Sequence, residues 1–241
     1  MDLKETQTFN SDISSHWYYV LKGAMVKRAI KGIPSLTRLA DIGAGSGFFS
    51  KYLLQHTKIQ SGVCIDTGYK NTHEEKVGEK SLSFIQKSSV EDCDLLLFMD
   101  VLEHIDQDDQ FLSEYVKQSK SGSWFFITVP AFPFLYSSHD RYLGHYRRYT
   151  KQSLKKLVEN QGLKIHQLNY FYSTLFPLMA SKRLLDKGIG GIFKNKEDKS
   201  DMTAAPFLVN ALLKGIHLPE LIALNLPRPF GLTLWCLAER Q

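Results

Sequence analysis

The chain has 241 residues, a formal net charge of +5 and 43% hydrophobic residues. This length and this ordinary composition predict one globular domain of the α/β kind. The basic residues occur in short groups such as Lys27-Arg28 and Lys155-Lys156. Since no run is long enough for a nucleic-acid-binding arm, we expect no nucleic-acid partner.

The three cysteines, Cys64, Cys93 and Cys236, lie far apart, and two of them lie in apolar runs. This predicts buried thiols in a reducing compartment and argues against a disulfide framework or a zinc site. Residues 1–12 are polar and include acidic residues, which is not the pattern of a secretory signal. The longest uncharged stretch, 165–181, is too short and too polar to span a bilayer. We therefore expect a cytoplasmic protein.

In chain order, the pattern begins with an aromatic-rich helix over residues 14–31. Short apolar runs then alternate with amphipathic segments, as expected for parallel strands joined by crossover helices. The fourth and fifth apolar runs contain almost no polar residues, which is typical of central strands buried on both faces. The predicted strands are Arg38–Ile42, Gly62–Asp66, Leu82–Gln86, Asp94–Asp100, Ser123–Val129, Leu163–Tyr170 and Thr233–Ala238.

The clearest helix pattern runs from Thr150 to Gln161, because Thr150 can cap it and Gly162 ends it. The alternation of strands and helices then breaks over residues 171–228. This segment carries two helical patterns, Leu175–Lys187 and Pro206–Leu213, on either side of a polar loop over residues 194–201. We interpret it as a helical insertion before the last strand of a single domain, not as a second domain.

The most informative stretch is Asp41 to Gly47, which follows the first predicted strand and precedes a helix. Glycines at 43, 45 and 47 allow unusual backbone angles and let a ligand lie against the main chain. A dinucleotide fingerprint needs glycine at the first, third and sixth positions, whereas the sixth position here is Phe48. Asp41 would repel a pyrophosphate and suits a ligand with positive charge. The pattern therefore disfavours a nicotinamide cofactor.

The string Asp-Ile-Gly-Ala-Gly-Ser-Gly resembles the first motif of the class I S-adenosylmethionine-dependent methyltransferases. The predicted strand order, with a late insertion and a final strand after it, is similar to the sheet of that family from about Trp17 to Ala238. The resemblance implies a Rossmann-like, mostly parallel seven-stranded sheet flanked by helices. Its last strand would be antiparallel and lie between the fifth and sixth. It also implies S-adenosylmethionine as cofactor, since acidic pockets attract its cationic groups.

The ends of the early strands form the predicted cofactor site, because ligands of open α/β sheets lie beyond the carboxyl ends of the strands. Asp66 is expected to accept hydrogen bonds from the ribose, although a strand-end acid can also cap a helix. In similar enzymes the loop after the third strand flanks the adenine, and the residues after the fourth lie under the methionine moiety. The expected cofactor-binding residues are Asp41, Gly43, Ala44, Gly45, Gly47, Asp66, Thr67, Ser89, Val90, Asp100 and Val101.

The expected substrate side lies in residues 139–149, after the fifth strand, where histidine, arginine and tyrosine are unusually dense. The stretch resembles a string in a bacterial branch of small-molecule and glycan-associated methyltransferases. A structural role for these residues, such as arginines paired with strand-end carboxylates, is the alternative. Candidate proton acceptors are histidines at the strand end and in this loop. The catalytic candidates are His104, His139 and His145, and the substrate-binding candidates are Asp140, Arg148 and Tyr149.

Two features qualify these assignments. No metal is expected, because His139, Asp140 and His145 have no second acidic group near them in the sequence. The family branch usually carries an arginine shortly after the tryptophan of the helix that covers the cofactor. Here Trp17 is followed by Lys22 instead, so the residue that would bind the cofactor carboxylate stays open.

The expected reaction is in-line displacement of the methyl group from sulfonium by an oxygen, nitrogen or carbon nucleophile. The expected partner is a small-molecule acceptor, with a sugar-bearing or lipid-linked acceptor as the finer prediction. The aromatic insertion motivates the lipid-linked acceptor and leaves contact with a membrane surface open. Two rival hypotheses are a non-catalytic cofactor-binding scaffold of the same fold and an NAD-dependent dehydrogenase.

Overall fold

The structure is a computed structural model that describes residues 15–189 and 206–241. Its centre is one eight-stranded sheet with helices on both faces. The central strands are the purely apolar ones predicted to be buried. In chain order the strands are β1 (Arg38–Ile42), β2 (Ser61–Ile65), β3 (His73–Val77), β4 (Lys80–Ile85), β5 (Leu95–Met99), β6 (Trp124–Pro130), β7 (Leu163–Phe171) and β8 (Thr233–Arg240).

The strand order across the sheet is β3-β4-β2-β1-β5-β6-β8-β7. Strands β4, β2, β1, β5 and β6 run parallel to one another. The last strand, β8, lies between β6 and β7 and pairs antiparallel with both. The α/β class, the Rossmann-like sheet and the antiparallel last strand are therefore confirmed.

The prediction of seven strands was wrong by one, because β3 forms an additional antiparallel hairpin with β4. Its sequence, His-Glu-Glu-Lys-Val, is charged and largely exposed, so hydrophobic periodicity does not reveal it. The charges suit an edge strand, since they discourage pairing with another chain. The available signal was Gly78, which opens the two-residue turn with φ of +63°.

The helices form two layers around the sheet. Helices α1, α2 and α7 contribute to the apolar cluster on one face, and α3 and α5 contribute to the cluster on the other. As predicted, Thr150 caps α5 by accepting a hydrogen bond from the Ser153 amide. The helices are α1 (Trp17–Ala29), α2 (Phe48–His56), α3 (Asp108–Gln118), α4 (Ser138–Leu143), α5 (Lys151–Asn160), α6 (Phe176–Ile189) and α7 (Phe207–Ile222).

Helix α7 continues to Ile222 instead of ending near Leu213, although Pro219 lies inside it. It packs along α1, where the Asn210 side chain accepts a hydrogen bond from the Trp17 amide at 2.6 Å. The polar loop predicted at 194–201 lies outside the described residues. Within the described ranges, no helix is long and apolar enough to cross a membrane. The three cysteines are buried free thiols, as predicted.

The strand order places the candidate site. Strand β1 is followed in the chain by β2 on one side, and its neighbour on the other side is β5. The connections therefore leave β1 and β5 in opposite directions, which opens a crevice at their carboxyl ends. The glycine-rich loop follows β1 at this point, and Asp100 follows β5. Residues separated widely in sequence thus meet at one edge of the sheet.

Gly47→Ala should destabilise the protein more than Gly162→Ala, although both positions have positive φ, of +70° and +75°. A Cβ at 47 would lie 2.7 Å from the buried Phe84 ring, whereas nothing lies within 4 Å of a Cβ at 162. Backbone strain costs each variant about 1–2 kcal/mol. Overpacking adds about 1–3 kcal/mol at Gly47 alone.

The measurement is urea unfolding of both variants and the wild type at one temperature. Equal losses of unfolding free energy would show that Phe84 does not press against the loop.

Candidate functional site

The glycine-rich loop is built on three residues with left-handed backbone. Gly43, Gly45 and Gly47 have φ of +66°, +53° and +70°. A Cβ at Gly43 would lie 2.8 Å from the Val101 side chain, so Val101 packs directly against the loop. Glycine at position 43 therefore allows both the turn and the close packing of Val101. Ala44, which follows Gly43, is buried.

Asp41 closes the base of the loop as a fully buried carboxylate. Its Oδ2 accepts a hydrogen bond from the Ser50 hydroxyl at 2.8 Å, whereas Oδ1 has no hydrogen-bond partner. Burial raises the pKa of Asp41 to about 6, against the lowering effect of the Ser50 hydrogen bond. Ionising Asp41 therefore costs more in the folded protein than in water, and positive charge near the carboxylate would lessen that cost.

Asp66, which directly follows β2, fixes the position of the glycine-rich loop by a hydrogen bond. Its Oδ2 accepts a hydrogen bond from the Gly45 amide at 2.9 Å, and its Oδ1 accepts one from the Gly68 amide at 2.8 Å. The Tyr69 hydroxyl donates to the Gly45 carbonyl at 2.7 Å. Asp66 thus has a structural role in this state, and its carboxylate oxygens retain lone pairs for further donors.

The remaining residues predicted near the adenosine lie in different environments. Thr67 and Ser89 are exposed, and the Ser89 hydroxyl accepts a hydrogen bond from the Glu91 amide at 3.3 Å. Val90 is completely buried in the apolar cluster on the α3 and α5 face of the sheet. Its side chain therefore packs in the core.

Asp100 occupies the end of β5 in a strained conformation, with φ of +56°. Its carboxylate forms an ion pair with the fully buried Lys22 and accepts a hydrogen bond from the Thr128 hydroxyl at 3.0 Å. The Tyr18 hydroxyl lies 3.3 Å from Oδ2 of the same carboxylate. Burial alone would raise the pKa of Asp100, but the charge and hydrogen bond of Lys22 outweigh burial and lower it. The carboxylate is therefore ionised.

Beside Asp100 lies a cavity of about 250 Å³. Its walls come from α1, the strand end at β5, the segment 130–148 and helix α6. All three histidines predicted as catalytic candidates line it, together with Arg148. The other lining residues are Trp17, Tyr18, Tyr19, Phe49, Asp100, Glu103, Pro130, Leu135, Leu143, Leu175, Met179, Arg183, Leu232 and Thr233.

Glu103, His104 and His145 form a cluster in the wall of this cavity. One potential metal-ligand atom of each residue lies within 4.8 Å of those of the other two. The centroids of the two imidazole rings are 4.6 Å apart. Glu103 is almost completely buried, and its Oε2 has no hydrogen-bond partner. Burial, and then the negative charge of Asp100, raises the pKa of Glu103 well above its ordinary value.

Asp140 holds His145 and Arg148 in place. It is fully buried, and its Oδ1 lies 2.9 Å from His145 Nδ1 and 2.7 Å from Arg148 Nε. Burial would raise the pKa of Asp140, but hydrogen bonding from His145 and the charge of Arg148 hold it well below its usual range. Because the carboxylate can only accept, Nδ1 of His145 carries the proton and Nε2 is left for other contacts.

Some residues of the segment 138–149 therefore line the cavity, whereas others lie behind these residues and hold them in place. Arg148 lines the cavity, whereas Asp140 stands behind it. Tyr149 is buried and donates a hydrogen bond to Asp108 at 2.6 Å, away from the cavity. Arg147 also pairs with Asp108, at 2.8 Å. Both arginines are thus paired with carboxylates, although neither Asp108, which begins α3, nor Asp140, in α4, lies at a strand end.

The sequence did not reveal the roles of three residues in or beside the cavity. Glu103 was part of a quoted motif but was not assigned a role, although a glutamate directly before a candidate histidine was a usable signal. Lys22 was noted only as a departure from a family pattern, and it is the partner of Asp100. Arg183 reaches the cavity from α6, and no local sequence pattern pointed to it.

The residues present fit the S-adenosylmethionine that the motif implies. The unpartnered Oδ1 of Asp41 favours positive charge near the loop. The glycines leave backbone free of Cβ atoms, and the loop joins a strand to the N-terminus of α2. The methionine end would face the cavity beside Asp100, where the three histidines lie.

Known proteins show similarity in sequence and fold. A family model described as a methyltransferase domain matches residues 16–168. An S-adenosylmethionine-dependent methyltransferase of Archaeoglobus fulgidus has 18% identity and a TM-score of 0.52, over 99% of this chain and 98% of that one. The plantazolicin methyltransferase BpumL, in complex with S-adenosylhomocysteine, has 13% identity and a TM-score of 0.55, over 98% and 89%.

A third similar structure is phosphoethanolamine N-methyltransferase 2 of Haemonchus contortus, in complex with S-adenosylmethionine. It has 13% identity and a TM-score of 0.52, and the match covers all of this chain and 60% of that one. No curated protein matches the sequence significantly. At such identities the solved structures establish a shared fold.

Asp41→Asn should stabilise the ligand-free protein at pH 7.5 and have little effect near pH 4. The folded-state pKa of about 6 lies above the ordinary value of 3.8. As pH rises through this window, the unfolded state ionises first, and folding loses up to about 3 kcal/mol at roughly 1.36 kcal/mol per pKa unit. Asparagine cannot ionise, so the penalty disappears.

The measurement is denaturant unfolding of wild type and variant at both pH values, with Asp92→Asn at an exposed position as the control. A stability difference that is the same at both pH values would contradict the raised pKa of Asp41.

Proposed function

This chain belongs to the methyltransferase domain family, whose model matches residues 16–168, and from that membership we propose that it methylates a small-molecule acceptor held in the cavity beside Asp100. It is an S-adenosylmethionine-dependent methyltransferase, so the predictions of enzyme class and cofactor are confirmed. The dehydrogenase alternative is thereby set aside. The proposal concerns the acceptor and the residues that act on it.

S-adenosylmethionine supplies a methyl group on a positively charged sulfur, which makes the methyl transferable by in-line displacement. The proposed binding residues are those of the glycine-rich loop, Asp66 and the strand end at Asp100. The Asp41 carboxylate would attract this positive charge from below the loop. Helix α1, fixed by Lys22, covers the methionine end and excludes water from it.

The observation that carries the proposal is the convergence of three histidines on one cavity next to this end of the site. His145 is oriented by the ionised Asp140, so a neutral imidazole would present Nε2 as a proton acceptor. Arg148 and Arg183 add positive charge to the same wall. This arrangement suits an acceptor with a hydroxyl group near an anionic group such as a phosphate or carboxylate.

The finer proposal is an acceptor with a sugar or lipid portion, as in the glycan-associated branch that residues 139–149 resemble. The cavity wall is apolar at Leu175, just before α6, and at Met179 within it. Helix α7, in the same insertion, exposes large apolar side chains, with Phe207 83% and Leu208 78% exposed. A lipid portion or a membrane surface would cover this apolar area. A cytoplasmic location belongs to the same proposal and agrees with the buried free thiols.

Labelled methyl groups should pass from S-adenosylmethionine to hydroxyl-bearing small acceptors, either soluble sugars or lipid-linked sugars in vesicles. His145→Gln should lower kcat by roughly 100-fold, the scale of lost acid–base help. Its affinity for the cofactor should stay unchanged. The measurement is transfer to a panel of acceptors, with His166→Gln as the control, because His166 pairs with Glu239 outside the cavity lining.

Methylation of peptide or RNA alone would refute the small-molecule proposal. Cofactor binding with no transfer to any acceptor would favour the non-catalytic scaffold.

A further inference from the structure

We infer that Glu103, His104 and His145 together bind one divalent transition-metal ion in the cavity wall. One potential ligand atom of each residue lies within 4.8 Å of the others. Ligand atoms around a single ion with bonds of about 2.0–2.2 Å are separated by about 3–4 Å. A small adjustment of side-chain torsions therefore brings the three atoms onto one ion.

The second observation is the state of Glu103. Its side chain is 99% removed from solvent and lines the cavity, and its Oε2 has no hydrogen-bond partner. The neighbouring carboxylate, Asp100, has Lys22 as its ion-pair partner. Buried carboxylate oxygens are costly when left unpaired. A cation bound at this cluster would give Glu103 the partner that it lacks.

The third observation is the support behind His145. A metal-binding histidine generally donates its second ring N–H to a carboxylate, which fixes the ring and its tautomer. Asp140 provides this contact at 2.9 Å from Nδ1. The Tyr146 amide also donates to the Glu103 carbonyl at 2.7 Å. The backbone of the two segments is thus tied together where the cluster forms.

The donor set indicates the class of ion. Two imidazoles and one carboxylate beside an open cavity suit Zn²⁺, Fe²⁺, Co²⁺ or Mn²⁺, whereas Mg²⁺ prefers oxygen ligands alone. No metal was expected from the sequence, because His139, Asp140 and His145 have no second acidic group near them along the chain. The fold supplies that acid as Glu103, from the end of β5.

The role of the ion rests on the proposed function. An acceptor hydroxyl bound to the open side of the ion would ionise near neutral pH. Its proton would pass to solvent, its oxygen would form the new bond to the methyl carbon, and the carbon–sulfur bond would break to leave S-adenosylhomocysteine. With the ion bound, His145 acts as a ligand, and the ion replaces it as the group that activates the oxygen.

The test is Co²⁺ titration of the full chain after treatment with EDTA, followed by visible absorption and by calorimetry, with no cofactor or acceptor present. We expect one ion per chain, with Mg²⁺ binding at least tenfold more weakly than Co²⁺. Glu103→Gln and His104→Gln should each lower Co²⁺ affinity at least tenfold. His166→Gln, outside the cluster, should leave it unchanged.

Circular dichroism in EDTA verifies that each variant is folded. Absence of Co²⁺ binding, or equal affinity in the cluster variants and the control, would overturn the metal site. Because this experiment involves no methyl transfer, its outcome is separate from that of the acceptor panel: a chain that binds Co²⁺ but methylates no small molecule retains the site and loses the proposed acceptor.

Discussion

The ion pair between the fully buried Lys22 and the partly exposed Asp100 is the contact on which the site depends. It joins helix α1 to the end of β5 and holds Asp100 in a left-handed conformation that side chains rarely adopt. Removing Lys22 would leave the Asp100 carboxylate without its cationic partner at the end of the strand. Because α1 is fixed there, Trp17 and Tyr18 become walls of the cavity. The pair therefore couples the folding of the N-terminal helix to the shape of the site.

The three carboxylates Asp41, Asp100 and Asp140 lie in different environments and therefore differ in their pKa values. Asp100 and Asp140 are ionised, because Lys22 pairs with the first, while Arg148 pairs with the second and His145 donates a hydrogen bond to it. Asp41, below the glycine-rich loop, has only a hydroxyl donor, and burial raises its pKa to about 6. The two paired acids hold the framework, whereas Asp41 has no cationic partner among the contacts of the described residues.

Local patterns predicted the parallel strands, and the resemblance of the glycine-rich motif to a known family implied the antiparallel last strand. The sequence did not reveal strand β3, because a charged edge strand lacks hydrophobic periodicity. It could not predict that Asp140 faces His145 or that Lys22 reaches Asp100, since these contacts depend on how segments far apart in the chain pack. Glu103 was overlooked for the same reason: its burial arises only in the folded protein.

Calorimetric titration of S-adenosylhomocysteine into the wild type and into Lys22→Met tests the central claim most directly. We expect one molecule bound per wild-type chain and at least tenfold weaker binding by the variant, because α1 no longer closes the site. Circular dichroism must show that the variant is folded. No binding by the wild type, or equal affinity in both proteins, would contradict a cofactor site closed by the Lys22–Asp100 pair.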